Sequence, residues 1–126
     1  MTALIYNKRL YIDSENSIDV HFFKNNGLLD TITSGQIVLK GVQIGFWLDT
    51  RSSEPYLRVY YKPSEKEYVS YVIELIKTKC NFGGYRFWFI CPLEVNGNMC
   101  GKRVGVLYFK NGVFGCRKCQ EISYET

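Results

Sequence analysis

The stretch from Cys91 to Cys119, CPLEVNGNMCGKRVGVLYFKNGVFGCRKC, holds four of the chain's five cysteines. They come as two groups, Cys91 with Cys100 and Cys116 with Cys119, and the segment between them alternates like a strand pair. Asn111-Gly112 is the strongest two-residue hairpin signal in the chain, because both positions of a tight hairpin turn need positive φ. A hairpin returns the second cysteine group beside the first. Four thiolates can then surround Zn²⁺ tetrahedrally at ~2.3 Å. Cys116-Arg117-Lys118-Cys119 has the two-residue spacing usual for such a turn. Eight residues separate Cys91 from Cys100, so the first turn has to carry a loop, for which Asn96-Gly97-Asn98 is suited. Gly101 fits the tight backbone after the second cysteine. We expect Cys91, Cys100, Cys116 and Cys119 to ligate a structural zinc ion, since a catalytic zinc keeps one position open for water. The alternative is a redox pair at Cys116 and Cys119, but no βαβ pattern surrounds it. Cys80 is left over and reads as a small hydrophobe at a strand end.

Composition supports metal over disulfides. The 126 residues are 46% hydrophobic and 22% charged, which describes a folded chain of one unit or two small lobes. No apolar run approaches the roughly 20 residues of a membrane helix, and MTALIYNKRLYIDSEN does not read as a signal peptide. The expected location is the cytoplasm, where clustered cysteines bind metal more often than they pair, and five is an odd number for complete pairing. The net charge of +4 is unevenly spread. Between Lys77 and Cys119 there are eight basic residues against Glu94 alone, whereas residues 1–76 carry eight basic and nine acidic ones. The cysteine-bearing half is the electropositive half, even after the −2 of a zinc tetrathiolate is counted.

Along the chain, LIYNKRLYI suggests a short edge strand. ENSIDVHFFKNNGLLD suggests one short helix near residues 17–26, with Ser17 as N-cap, Asp19 in the first turn, Asn26-Gly27 as the stop, and Ile18, Phe22 and Leu28 or Leu29 on one side. From Gly35 the period becomes two. GQIVLK and VQIGFWLDT are broken at Lys40-Gly41, and PYLRVYYKP alternates Leu57, Val59 and Tyr61 against Arg58 and Tyr60. KEYVSYVIELIKT places Val69, Tyr71, Ile73 and Leu75 on one face, and YRFWFI sets Phe87 and Phe89 against Arg86, Trp88 and Ile90. KRVGVLYFK reads as one further strand. The expected fold is a mainly β, small α+β protein. An antiparallel meander with one short helix fills residues 1–79, and a zinc-ribbon-like hairpin subdomain fills residues 80–126.

The run TKCNFGGYRFWFICP…CGKRVGVLYF…FGCRKCQEISYET also resembles a widespread group of uncharacterised bacterial and phage proteins. Their pattern is a TPCHFGG-like turn, an aromatic strand ending in CP, a CGRRV-like second cysteine, an LY strand, and a closing C-R-x-C followed by Thr/Ser-Tyr. The matching positions include Cys80, Phe82, Gly83, Gly84, Trp88, Cys91, Pro92, Cys100, Gly101, Arg103, Leu107, Tyr108, Cys116, Arg117, Cys119, Ser123 and Tyr124. SIDVHFFKNNGLL is a weaker upstream echo. The resemblance implies a zinc-ribbon-like carboxyl half and carries no established activity with it. Lys79 departs from a common Pro. The sequence also stops just after Tyr124, where many relatives continue into a charged helical tail.

Nothing in the sequence points to catalysis. His21, the one histidine, reads as a surface or capping residue, and Asp49 and Glu74 as solvated strand positions. There is no Gly-rich phosphate loop and no serine elbow. The leading expectation is a non-enzymatic zinc-binding module that binds nucleic acid, or a nucleic-acid-handling complex, through Lys102, Arg103, Lys110, Arg117 and Lys118, with Tyr108 interleaved. The competing expectation is a protein-binding adaptor or inhibitor of host machinery from a phage or mobile element, of anti-defence or anti-CRISPR type, with Tyr56, Tyr60 and Tyr68 as anchors. The same basic residues would also serve simply to offset the charge of a zinc–thiolate centre.

Overall fold

The computed structural model describes residues 10–14, 16–28 and 30–122. The chain is mainly β, and its centre is an antiparallel meander. β1 (Leu10–Ser14) and β2 (Ser17–Asp19) precede α1 (Val20–Asn25), and β3 (Ile32–Leu39) and β4 (Val42–Asp49) follow as a hairpin. β5 (Tyr56–Ser64) and β6 (Glu67–Lys79) form the next hairpin, and β7 (Tyr85–Ile90) returns along β6. Two-residue periodicity is what makes these strands, because it puts one row of each in the core. Ile44, Phe46 and Leu48 from β4, Leu57, Val59 and Tyr61 from β5, Ile73 and Leu75 from β6, and Phe87 and Phe89 from β7 are all buried. Lys40 and Gly41 take φ of 51° and 78°, the double positive φ of a primed hairpin turn, so β3 and β4 stay in register through Leu39↔Val42.

Three features differ from the sequence expectation. First, β1 pairs with β3 in parallel, at one edge of an otherwise antiparallel sheet. The amino-terminal part of the expected edge strand, and Leu29 on the expected helix face, lie outside the described residues.

Second, the helix starts later than Ser17. Ser17–Asp19 is extended, and the six-residue helix begins at Val20 with Asp19 as N-cap, its carboxylate accepting the His21 N–H at 2.9 Å. The stop at Asn26-Gly27 is where expected. Ser17–Asp19 extends because it has a strand to pair with: Ile18 faces Leu107, and both are buried. Three residues of pairing and a core position outweigh a weak capping preference.

Third, KRVGVLYFK is two strands. β8 (Glu94–Val95) and β9 (Asn98–Met99) form a small hairpin, β10 (Arg103–Val104) pairs with β7, and β11 (Val106–Lys110) leaves for another sheet. The break is Gly105, whose carbonyl accepts the Val20 N–H at 2.9 Å. A Cβ there would stand 3.2 Å from an Arg86 guanidinium nitrogen. β12 (Val113–Gly115) completes a three-stranded sheet in the order β12-β11-β2, so the strand that joins the cysteine hairpin comes from the amino-terminal segment, not from β7.

The small sheet packs on the large one. Phe109 and Phe114 meet the Tyr61 ring edge-on at 5.4 and 6.2 Å, and Phe23 of α1 meets Phe89 at 5.9 Å. The seven-stranded sheet, β1-β3-β4-β5-β6-β7-β10, continues across the expected lobe boundary at Lys79–Cys80, and one apolar core serves both sheets.

Candidate metal centre

Cys91 directly follows β7 and is fully buried. Its N–H donates to the Lys102 carbonyl at 2.8 Å, and its own carbonyl accepts from Gly101 at 3.2 Å, so the segment leading into β10 holds it from the side. The expected loop between Cys91 and Cys100 is the β8–β9 hairpin, turning on Asn96 and Gly97 at φ of 54° and 81°. At its base the Cys100 N–H donates to the Leu93 carbonyl at 2.9 Å. The six residues Glu94–Met99 are thereby looped out of what is otherwise a Cys-Pro-Leu-Cys-Gly turn. The long spacing is a short spacing with a hairpin inserted.

The second turn is built the same way. β11 and β12 join through Asn111-Gly112 and deliver Cys116, and a turn over Arg117–Gln120 carries Cys119 back. Gln120, which sequence reading passed over, locks this turn. Its side-chain amide donates to the carbonyls of Tyr108 (3.1 Å) and Val113 (2.9 Å), and its N–H donates to the Cys116 carbonyl at 3.0 Å. The two turns touch at Gly115, where a Cβ would lie 2.7 Å from Leu93 Cδ2. The sequence shows only a glutamine one residue past a cysteine pair, and its burial, which makes it a lock, comes from the fold.

The outcome is that Cys91, Cys100, Cys116 and Cys119 bring their sulfurs within 4.8 Å of one another, close enough to hold a metal ion. A tetrahedron with ~2.3 Å metal–sulfur bonds has edges of ~3.8 Å, and Cys100 and Cys116 stand at 3.9 Å. Cys116 and Cys119 are two corners of this cluster. Cys80 lies outside it, exposed in the turn after β6.

The thiols do not share one environment. Burial pushes the Cys91 thiol up to about 11, against hydrogen bonds from the amides of Leu93 and Cys116, the latter at 3.2 Å. Burial and then hydrogen bonds with Cys100 and Cys116 raise Cys119. At Cys116 burial also opposes ionisation, but the Cys119 amide and the surrounding thiols prevail, and its acidity is increased. Amides aimed at sulfur stabilise thiolate, which is the form a metal requires. The donor set and its spacing therefore fit a thiophilic divalent cation.

The basic residues named from sequence do not all converge. Lys102, Tyr108, Arg117 and Lys118 line one open groove of about 520 Å³ over the cysteine cluster, with Val104, Val106, Cys116 and Ile122 in its floor and walls. Lys110 is committed elsewhere, its ammonium donating to the Gln120 carbonyl at 2.8 Å. Arg103 lies on the outer face of the large sheet, its guanidinium 5.0 Å from the Trp88 ring centre, with Arg86 at 3.7 Å from the same ring.

Tyr60 and Tyr68 are exposed, and Tyr60 lies across Gly45, where a Cβ would overlap its ring. His21 is on the surface, 3.2 Å from the Asp19 carboxylate. Glu74 is exposed, while the Asp49 carboxylate caps the turn that follows it, accepting from the N–H groups of Arg51 and Ser52. Among the described residues no helix is long and apolar enough to cross a membrane. Compared with known proteins, the chain matches no family model, no curated protein and no solved structure.

Proposed function

We propose that this chain is a non-enzymatic β protein with a structural zinc ion on Cys91, Cys100, Cys116 and Cys119, and that it binds single-stranded nucleic acid in the groove above that site. The observation that carries the reading is the groove itself. Lys102, Arg117 and Lys118 line it with Tyr108 among them, and Glu121 is the one acidic residue on its wall among the described residues. Cations draw phosphate and release counterions, and an aromatic side chain offers a face to an unpaired base. The zinc would supply rigidity, fixing Lys102 and Arg117–Lys118 at the two turns it joins.

The test is fluorescence anisotropy of the zinc-loaded protein with a labelled single-stranded oligonucleotide across a salt series. Two to three phosphate contacts predict a slope of log K against log salt of about −2. Lys102→Glu with Lys118→Glu should abolish binding while one zinc per chain is retained. No binding at low salt, or binding indifferent to the double charge reversal, would remove the nucleic-acid reading and leave capture of a protein partner by the exposed tyrosines as the competing one.

A further inference from the structure

A second concavity lies far along β7 from the sulfurs, at the seam between α1 and the sheet. It is a small pocket of about 90 Å³ lined by Val20, His21, Lys24, Cys80, Tyr85, Arg86 and Phe87. β10 pairs only with Phe89 and Ile90 of β7, so Tyr85–Phe87 have no strand on that side, and α1 closes the gap instead. The lining is chemically one-sided: it includes an ammonium, a guanidinium and an imidazole, and no carboxylate among the described residues.

Arg86 is the unusual member. Its Nε is buried without a hydrogen-bond partner, a costly condition for a group that always carries charge. Its guanidinium lies over the Trp88 ring, 3.7 Å from the ring centre, and a terminal nitrogen reaches to within 3.2 Å of where a Gly105 Cβ would be. Trp88 is itself held by a hydrogen bond from its ring N–H to Thr78 Oγ1 at 2.8 Å. A guanidinium fixed by stacking loses little freedom when it meets a planar or tetrahedral oxyanion. Lys24, at the last turn of α1, adds a second positive charge. The Asp19 carboxylate lies 3.2 Å from His21 Nδ1 and does not line the pocket.

We infer that the pocket between α1 and β7 is a phosphate-class oxyanion site in which Arg86 and Lys24 hold the anion. The phosphate could be free or part of a nucleic-acid backbone, and the experiment separates the two. Inorganic phosphate is titrated into the zinc-loaded protein at constant ionic strength and followed by calorimetry and thermal unfolding. Wild type is compared with Arg86→Gln and with Lys24→Gln, the latter on an exposed position that does not threaten folding. Saturable binding that weakens about tenfold in either variant supports the site. So does a single-stranded oligonucleotide whose salt slope falls by about 1 in Lys24→Gln, and this outcome assigns the phosphate to the nucleic-acid backbone. Neither effect in wild type or variants overturns the inference. Because Lys102 and Lys118 lie at the other site, their charge reversal leaves the phosphate titration unchanged, so failure of one reading is distinct from failure of the other.

Discussion

Strands β3 to β6 are eight to thirteen residues long and bury Ile37, Ile44, Phe46, Leu48, Leu57, Val59 and Ile73 almost completely. Around the sulfurs the strands shrink to two residues each in β8, β9 and β10. The β8–β9 hairpin is exposed throughout. The first region is organised by burial, at roughly 25 cal/mol for each Å² of apolar surface removed from water. The second has little apolar surface of its own, and on the proposed reading a metal ion on the four sulfurs takes the place of burial. Two-residue strands persist only when something other than their own pairing fixes the ends.

The regions are joined by one chain of hydroxyls. The Phe114 N–H donates to Tyr71 Oη at 3.2 Å, and Tyr61 Oη donates to the Gly112 carbonyl at 2.7 Å. Tyr61 and Tyr71 stand 3.2 Å apart. Since the Tyr61 proton is spent on Gly112, the Tyr71 proton points to Tyr61. This relay runs from β5 and β6 to the Asn111-Gly112 turn, which also seats against Pro63 at the bulge in β5.

The sharpest way to break the contrast is to remove one sulfur. Cys116→Ser should abolish stoichiometric metal in elemental analysis and loosen the two cysteine turns that the bound ion would hold together. Hydrogen exchange should then show lost protection at Cys91, Gly101 and Gln120, while Ile44–Leu48 and Leu57–Tyr61 exchange as before. Equal loss in both regions would mean that the meander is not independently organised.

A smaller effect is expected at the joint. Tyr61→Phe should cost about 1–2 kcal/mol in denaturant unfolding, because the Gly112 carbonyl and the Tyr71 hydroxyl lose a partner. Burial, and then the bond to Tyr71, hold the Tyr61 proton well above the ordinary tyrosine range, and burial raises Tyr71 too. The native state therefore keeps protons that the unfolded chain releases above about pH 10, and stability falls as pH climbs past that point. Unfolding measured between about pH 9 and 11 should show that decline in wild type and a shallower one in Tyr61→Phe.

The smallest effect belongs to the inserted hairpin. Deleting Glu94–Met99, which leaves Cys-Pro-Leu-Cys-Gly, should keep one zinc per chain and change stability by less than about 0.5 kcal/mol. Loss of zinc on this deletion would show that β8 and β9 position Cys100, not merely lengthen the turn.

Local signals carried the reading wherever the decisive contact was close in sequence. Alternation marked β3 to β7 and their buried rows, Lys40-Gly41 and Asn111-Gly112 marked their turns, and cysteine spacing marked the four sulfurs. Reading failed where a distant partner decided. Ser17–Asp19 carries a helix-start pattern yet extends because β11 offers it a place, and KRVGVLYFK looks continuous yet divides at Gly105 because two sheets compete for it.

What the sequence determined by itself is the mainly β class, the hairpins and the identity of the sulfur cluster, since alternation, turn residues and cysteine spacing are each written in the linear chain. Only tertiary structure decided which basic residues share a surface. Lys110 was drawn to the Gln120 carbonyl, Arg103 came across from β10 to the Trp88 ring, and Lys102, Arg117 and Lys118 came to line one groove. The reason is that a long charged side chain settles on whatever acceptor or ring the fold brings within reach, and no pattern in the linear chain encodes that neighbour.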